Sequence, residues 1–375
     1  MSLFLLILGL VLFVGLVVVH EFGHFIAARR NDIEVEEFGV GFPPRAKVIT
    51  TKKGTVYTLN WLPLGGFVKL KGEHDADTTK GSFGAASLSA KVKVMVAGVG
   101  MNLATAFVIF TFLALVGMPK LIDNQFTIAS DTKVVKQQVL VGYVQPDSPA
   151  AKAGLEQRDQ LVAISAPGKS AVAITSQDQL PAATKQFAGQ SAQVEIVRNG
   201  ETSQKTVVLR SQQEVDASQN TAEPKGYLGV SPTEYVLQRS TWSAPVVAAG
   251  LIVQLTEATL KGLGSAVSNL VQGNAGQASA QVSGPVGIFV LIKDGSLLGY
   301  QFILLIIAVI SLTLAIMNIL PIPALDGGRL FTLLFYKLIK KPLTPEREDM
   351  INSIGFITLM ALFVLITIVD VKRNF

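Results

Sequence analysis

The sequence has no cysteine, only three histidines and little charge. Asp, Glu, Lys and Arg make up 16% of its 375 residues, against roughly 25% in an average soluble domain. Without cysteine there is no disulfide framework, no thiolate zinc site and no cysteine nucleophile. Any part that faces an oxidising compartment holds its fold by packing alone. The shortage of charge weighs against a wholly soluble enzyme, a disordered tail protein and a nucleic-acid binder. The formal net charge of +5 and the isoelectric point near 9.2 suit basic residues flanking apolar spans in a bilayer with anionic lipid. What the chain has in excess is apolar: 49% of residues, with a mean hydropathy of +0.45.

Residues 3–19 carry no charged or strongly polar side chain, and the apolar run resumes after a short interruption through Ala28. A secretory signal has a basic start and a small-residue cleavage site soon after its apolar stretch. Here the start is uncharged and the run continues, so residues 1–30 are expected to hold a retained transmembrane helix. At ~1.5 Å per residue it spans the ~30 Å hydrocarbon core with some to spare. Three more spans are expected within 92–118, 297–330 and 354–370, four in all. Between the second and third lies a stretch of another kind. Residues 125–235 contain short alternating runs, such as 139–144, 194–197 and 206–209, with an Asn199-Gly200 turn; they predict a small β-rich soluble domain. Within it, 211–224 reads as a polar loop. Residues 236–296 read as a linker, with an amphipathic helix and a flexible stretch over 244–282.

The basic residues orient the chain. Arg29, Arg30, Arg45, Lys47, Lys52 and Lys53 follow the first span, and Arg329, Lys337, Lys340, Lys341 and Arg347 lie between the third and fourth. By the positive-inside rule segments 31–91 and 331–353 are cytoplasmic. The β-rich domain and both termini are then outside a plasma or inner membrane that the chain crosses several times.

His20-Glu21-Phe22-Gly23-His24 interrupts the first apolar helix, and ionisable groups in a span usually mark a site. Residues i and i+4 on a helix lie about 40° apart and ~6 Å along the axis, so both imidazoles reach one metal. Glu21 points beside that pair, where it can take a proton from a water. Zinc suits imidazole and carboxylate ligands with one open position. Asp326, in Asn318-Ile-Leu-Pro321-Ile-Pro323-Ala-Leu-Asp326-Gly327-Gly328-Arg329, ends a long uncharged run. Two readings stand for it: a third ligand, or a helix cap at the membrane surface. His74 sits among Glu73, Asp75 and Asp77 and reads as solvated. Residues 55–70 read as two strands around Pro63 and the glycines, with Trp61 an interface anchor if the hairpin is an ordinary one.

HEFGH in the first span, the NILPIPALDG segment after the third and the β-rich insert resemble the site-2 protease family, over essentially the whole chain. These are intramembrane zinc metalloproteases, and the resemblance is to the bacterial regulator of sigma-E type. It implies a polytopic α-helical membrane protein of about four transmembrane helices with an inserted PDZ-like domain and a membrane-associated β-hairpin at about 55–70. It also implies one Zn2+ per chain held by His20, His24 and Asp326, with Glu21 as general base. Asn318 matches the family asparagine that positions substrate. Gly98-Val99-Gly100-Met101-Asn102 matches the family's Gly-Pro-x-x-Asn with the proline absent and Asn102 kept, which the resemblance implies helps position substrate. Gly65, Gly66 and Phe67 lie in the hairpin whose edge would pair with an unwound substrate strand. Asp147-Ser-Pro-Ala-Ala-Lys-Ala-Gly-Leu155 matches a PDZ turn and helix, and Tyr227-Leu228-Gly229-Val230 resembles a carboxylate-binding loop. There is room for one PDZ domain, where Gram-negative relatives carry two. The implied partners are the lipid bilayer and single-span membrane proteins already trimmed by another protease, such as anti-sigma factors or remnant signal peptides, with no nucleic acid.

Two rival classes remain at this point. One is a non-proteolytic membrane adaptor, disfavoured by an intact H-E-x-x-H with Asp326. The other is a zinc transporter, disfavoured because no acidic groups are distributed over several spans.

Overall fold

A single segment that is apolar from residue 3 to 19 and again to Ala28 has one solution in lipid. Every backbone N–H and C=O must be satisfied within the segment, so even a valine-rich run coils into a helix. In the computed structural model, which describes residues 2–198, 200–221, 223–274 and 284–374, that helix is α1 (Ser2–Arg30). The second, α2 (Leu88–Val116), starts where the Ser87 hydroxyl accepts the Ala90 amide at 3.2 Å. It stops before Gly117, at φ +130.

The chain forms two units. One comprises residues 1–116, 125–128 and 241–375; the other comprises 117–124 and 129–240. In the first unit α1 and α2 approach backbone to backbone, because a Cβ on Gly23 would stand 2.6 Å from the Ala97 carbonyl oxygen. Ala106, Phe110, Leu113 and Ile303 are fully buried between the helices, while large side chains such as Phe4, Val11, Phe356 and Ile357 face outward, as a lipid solvent allows. The chain is an integral membrane protein.

Five described helices, rather than the expected four, are long and apolar enough to cross a membrane: Leu3–Arg30, Leu88–Val116, Ala244–Val271, Tyr300–Ile319 and Pro345–Arg373. The added one is the segment expected to be amphipathic. It is the least apolar of the five, at a hydropathy of 1.4, and it carries Glu257 and Lys261 paired across one turn at 2.6 Å. A short helix, Pro285–Gly295, follows. Residues 275–283, where part of the flexible stretch was expected, lie outside the described residues.

The segment 55–70 does not close on itself as a hairpin. Strand β1 (Val35–Lys52) turns at Gly54 into strand β2 (Thr55–Leu70), with Lys52 paired to Thr55. Glu37 to Val40 of β1 then pair with Lys69 to Gly66 on one flank and with Val56 to Leu59 on the other. The tight turn at Gly54 (φ +83) commits 55–60 to β1, so the arm 66–70 is left as an outer edge. Glu37 ties this sheet together, accepting from Thr58 Oγ1 at 2.7 Å and Arg45 at 2.6 Å.

The second unit is β-rich, with a seven-stranded antiparallel sheet among the described residues. The order is Met118–Pro119, Val230–Arg239, Lys133–Val144, Gln160–Ala166, Ser191–Arg198 and Glu201–Val208, with Lys169–Ala173 beside Gln160–Ala166. Alternate residues such as Val139, Val141, Val194 and Ile196 bury one face around Phe187 and Leu228. Ser148 caps the short helix Pro149–Lys152 by accepting the Ala151 amide. Asn199, of the expected turn, lies outside the described residues.

The expected polar loop at 211–224 holds a helix, Gln212–Ser218; Ala222 lies outside the described residues. The signal is a Ser-x-x-Glu capping box. Ser211 Oγ accepts from the Glu214 amide, and the Glu214 carboxylate accepts from the Ser211 amide at 2.7 Å. These bonds hold the Glu214 carboxyl below its usual range, so their contribution is present above the unfolded value and lost as pH falls through the lowered one. Ser211→Ala removes the cap and should speed amide exchange over 214–218 by about five-fold; unchanged exchange in the full chain would contradict it.

Candidate metal centre

His20, Glu21 and His24, within the apolar run of α1, are costly to insert and converge with a fourth ionisable residue. His20 Nε2 and His24 Nε2 lie 3.2 Å apart, and each is 3.1 Å from Asp326 Oδ2. His20 is buried and Asp326 Oδ2 is buried without a hydrogen bond. Three lone pairs thus face one point. Tetrahedral donors at ~2.0–2.1 Å from zinc are roughly 3.3 Å from one another, close to the edges of this triangle. The donor set and its spacing fit a divalent cation.

Asp326 arrives there because the chain breaks after Ile319. Leu320 leaves the helix in extended conformation, the Ile322 and Leu325 amides close two tight turns, and Ala324 adopts φ +73. Asp326 then opens the helix Asp326–Leu338. Gly327 and Gly328 are packing requirements rather than a helix end. A Cβ on either would stand 2.3 Å from the Ile319 carbonyl oxygen or 1.9 Å from that of Ile322.

Helix α2 completes the surround. His24 Nδ1 donates to the Val94 carbonyl at 2.7 Å, and the Asn102 amide lies 3.2 Å from His20 Nδ1. Between them a Cβ on Gly98 would stand 2.5 Å from His24 Nε2 and 2.7 Å from His20 Nε2. On the other side Arg329 stacks over Phe83 at 5.0 Å and reaches Glu73 at 3.8 Å and Glu348 at 3.4 Å. His74 is 3.8 Å from Glu348 and Asp349, away from the triad.

Two cavities meet at Glu21. One, of about 350 Å³, is lined by Val17, Phe42, Gly66, Asn102, Leu314 and Asn318 along with His20 and Asp326. The other, of about 140 Å³, leads past Val68, Glu73 and Phe83 to Arg329. Gly66 comes close, since its Cβ would lie 3.3 Å from Glu21 Cγ, and Val68 lines the smaller cavity beside Glu21. Of the other expected substrate contacts, Asn318 and Asn102 border the larger cavity. Gly65 sits at φ +119 against the Phe42 ring, and Phe67 packs on Gly39, away from the cleft.

In the β-rich unit, Leu228 is buried in the core and the Tyr227 hydroxyl donates to Gln212 at 2.7 Å. Gly229 (φ +79) and Val230 border a cavity of about 650 Å³ with Arg210 and Lys225.

Val94, Gly98, Phe42, Ser311 and Arg329 are the neighbours that sequence reasoning missed. Only Gly98 carried a signal, as a small residue one turn before Asn102.

A zinc-type triad with an adjoining glutamate, carried by apolar helices, defines an integral membrane zinc metalloprotease. Residues 8–362 match peptidase family M50, and the chain belongs to that family. It is 31% identical to a zinc-metalloprotease-named chain of Clostridium acetobutylicum, over 99% of this chain and 98% of that one. It is 26% identical to the zinc metalloprotease RasP of Shouchella clausii, over 97% and 98%. The same identity holds with RasP of Oceanobacillus iheyensis, over 98% of each.

Gly98→Val should push both imidazoles aside and leave purified protein without zinc. Gly100→Val, at a position with nothing within 4 Å, should keep it. Metal analysis of the two variants tests the cradle, and full zinc in Gly98→Val would refute it.

Proposed function

We propose that this protein hydrolyses peptide bonds within the transmembrane segments of single-span membrane proteins. His20, His24 and Asp326 hold the zinc, and Glu21 is the general base. The observation that carries the reading is the position of Glu21, beside the triad and on the wall of both cavities. Zinc supplies Lewis acidity toward water and the scissile carbonyl. Glu21 accepts the proton of the attacking water and delivers it to the leaving amine nitrogen. The smaller cavity, with Glu73 and Arg329 on its wall, is the water path from the cytoplasmic side.

A helical substrate must expose its backbone before it is cut. The Leu70 amide is directed at Glu73 Oε1, 2.9 Å away. Alternate residues of a strand direct their amides the same way, so Gly66 turns its N–H and C=O toward the cleft. An unwound substrate segment adds to this edge as a strand, with Asn318 and the apolar Val17, Phe42 and Leu314 around it.

The topology follows from parity. Glu73 and His74 touch Arg329 and Glu348, so segments 31–91 and 331–353 share one face, the cytoplasmic one by charge. The crossings between them are even in number. Helix α2 and Tyr300–Ile319 supply two. Were Ala244–Val271 a third, a return crossing would be needed before residue 300. The helix Pro285–Gly295 has 11 residues, ~16 Å, about half of the hydrocarbon core. Among the described residues no helix between 271 and 300 is long enough for that return, so we read Ala244–Val271 as staying in the outer leaflet, with four helices crossing. The β-rich unit is read as a single outer PDZ-like domain. Its 650 Å³ cavity, beside Gly229, Arg210 and Lys225, suits the new carboxylate of a pre-trimmed substrate.

Purified protein with zinc should cut a model single-span substrate, and Glu21→Gln should abolish cutting with zinc retained. Cleavage by Glu21→Gln at the wild-type rate would sink the protease reading in favour of an adaptor. Gly66→Pro should lower cleavage at least ten-fold with zinc unchanged; zinc loss there would refute the division of roles between strand edge and metal. Since the chain lacks cysteine, single cysteines report sidedness. Lys53→Cys and Lys341→Cys should label from the cytoplasm, and Lys205→Cys and Gln272→Cys from outside. Cytoplasmic labelling at Gln272→Cys would overturn the four-span topology.

A further inference from the structure

The geometry points to Asn102 as a positioning residue that sets the protonation and aim of His20, and we propose this role resting on the metalloprotease reading above. Val94, Gly98 and Asn102 stand at i, i+4 and i+8 on α2 and form one stripe. That stripe offers the two imidazoles a carbonyl, a gap and an amide. A carbonyl only accepts, so His24 carries its proton on Nδ1, where Val94 takes it at 2.7 Å, and leaves Nε2 free toward Asp326. His20 has the same requirement, because its Nε2 also faces Asp326 at 3.1 Å. Its Nδ1 therefore needs an acceptor, and the group within reach is the side chain of Asn102, at 3.2 Å.

Asn102 is wholly buried, and its Oδ1 has no partner while Nδ2 faces the ring. The two amide atoms are nearly equal in size. Turning the group over about its Cβ–Cγ bond gives Oδ1 the Nδ1 proton of His20 and fixes the tautomer that metal binding needs. Among the described residues Asn102 is the hydrogen-bond partner of His20 Nδ1. The backbone of Asn102 is held in turn, its carbonyl accepting from Ser311 Oγ of the Tyr300–Ile319 helix at 2.8 Å. The asparagine expected from the sequence to position substrate thus acts first on a ligand.

The test is zinc affinity of the full chain in lipid nanodiscs, measured by competition with a chromogenic chelator. Asn102→Leu should weaken zinc binding 10- to 100-fold, the usual effect of losing such a partner. Asn102→Asp, which accepts a proton from Nδ1 as the amide oxygen does, should restore affinity to within about three-fold of wild type. In the cobalt-loaded protein the visible absorption of Asn102→Asp should shift while its intensity stays that of a four-coordinate site. Ser311→Ala, which loosens the helix contact without touching the ring, should keep wild-type affinity. The role is overturned if Asn102→Leu binds zinc like wild type, if Asn102→Asp is as weak as Asn102→Leu, or if Ser311→Ala loses as much. Wild type that binds zinc but cuts no substrate would end the protease reading and leave this role standing.

Discussion

Two imidazoles and two carboxylates sit in or against apolar helices, where each alone would oppose insertion. Their convergence offsets that cost. His20, His24 and Asp326 turn three donor atoms to one point, 3.1 to 3.2 Å apart, and an arrangement of lone pairs that close is stable around a cation. Much of the membrane unit can be read as the consequence. Helix α2 must come near enough to hold both rings, which is why Gly23 and Gly98 have no side chain to spare. The chain must break between Ile319 and Asp326 to deliver a carboxylate from another helix, which is why Gly327 and Gly328 pack under carbonyl oxygens.

Around this point the elements take separate physical parts. Helix α1 carries the two imidazoles and Glu21, α2 holds the rings through Val94 and Asn102, and the strand arm 66–70 supplies an outer backbone edge. In lipid such an edge is tolerable only where it lines a cavity, and this one does, at Gly66. The ion network of Arg329, Glu73 and Glu348 joins three stretches distant in sequence beside the site. It also brings the two basic segments into contact.

The chemistry was the most legible part. Ionisable residues are so unfavourable in a span that H-E-x-x-H inside an apolar run stands out without a structure, and Asp326 stands out for the same reason at the end of another. The spans at α1, α2 and Tyr300–Ile319 were legible within a few residues because long apolar runs have one conformation in lipid. Ala244–Val271 was not, since Glu257 and Lys261 and its glycines blur its hydropathy. The helix Gln212–Ser218 was missed because its capping box sits in a polar stretch with little apolar periodicity to draw attention to it.

The amino-acid sequence by itself determined which segments are apolar enough to leave water, which ionisable residues stand within or beside them and which loops are basic. Each of these depends on local composition and short spacing. Tertiary structure alone decided that β1 lies between the arms of β2, that Gly98 makes room for both rings and that Asn102 meets His20. It also decided that Phe67 turns away from the cleft. These depend on which distant backbone comes near. A close approach between two helices leaves no mark in either segment beyond a small residue, and the pairing partner of a strand is chosen by the whole sheet.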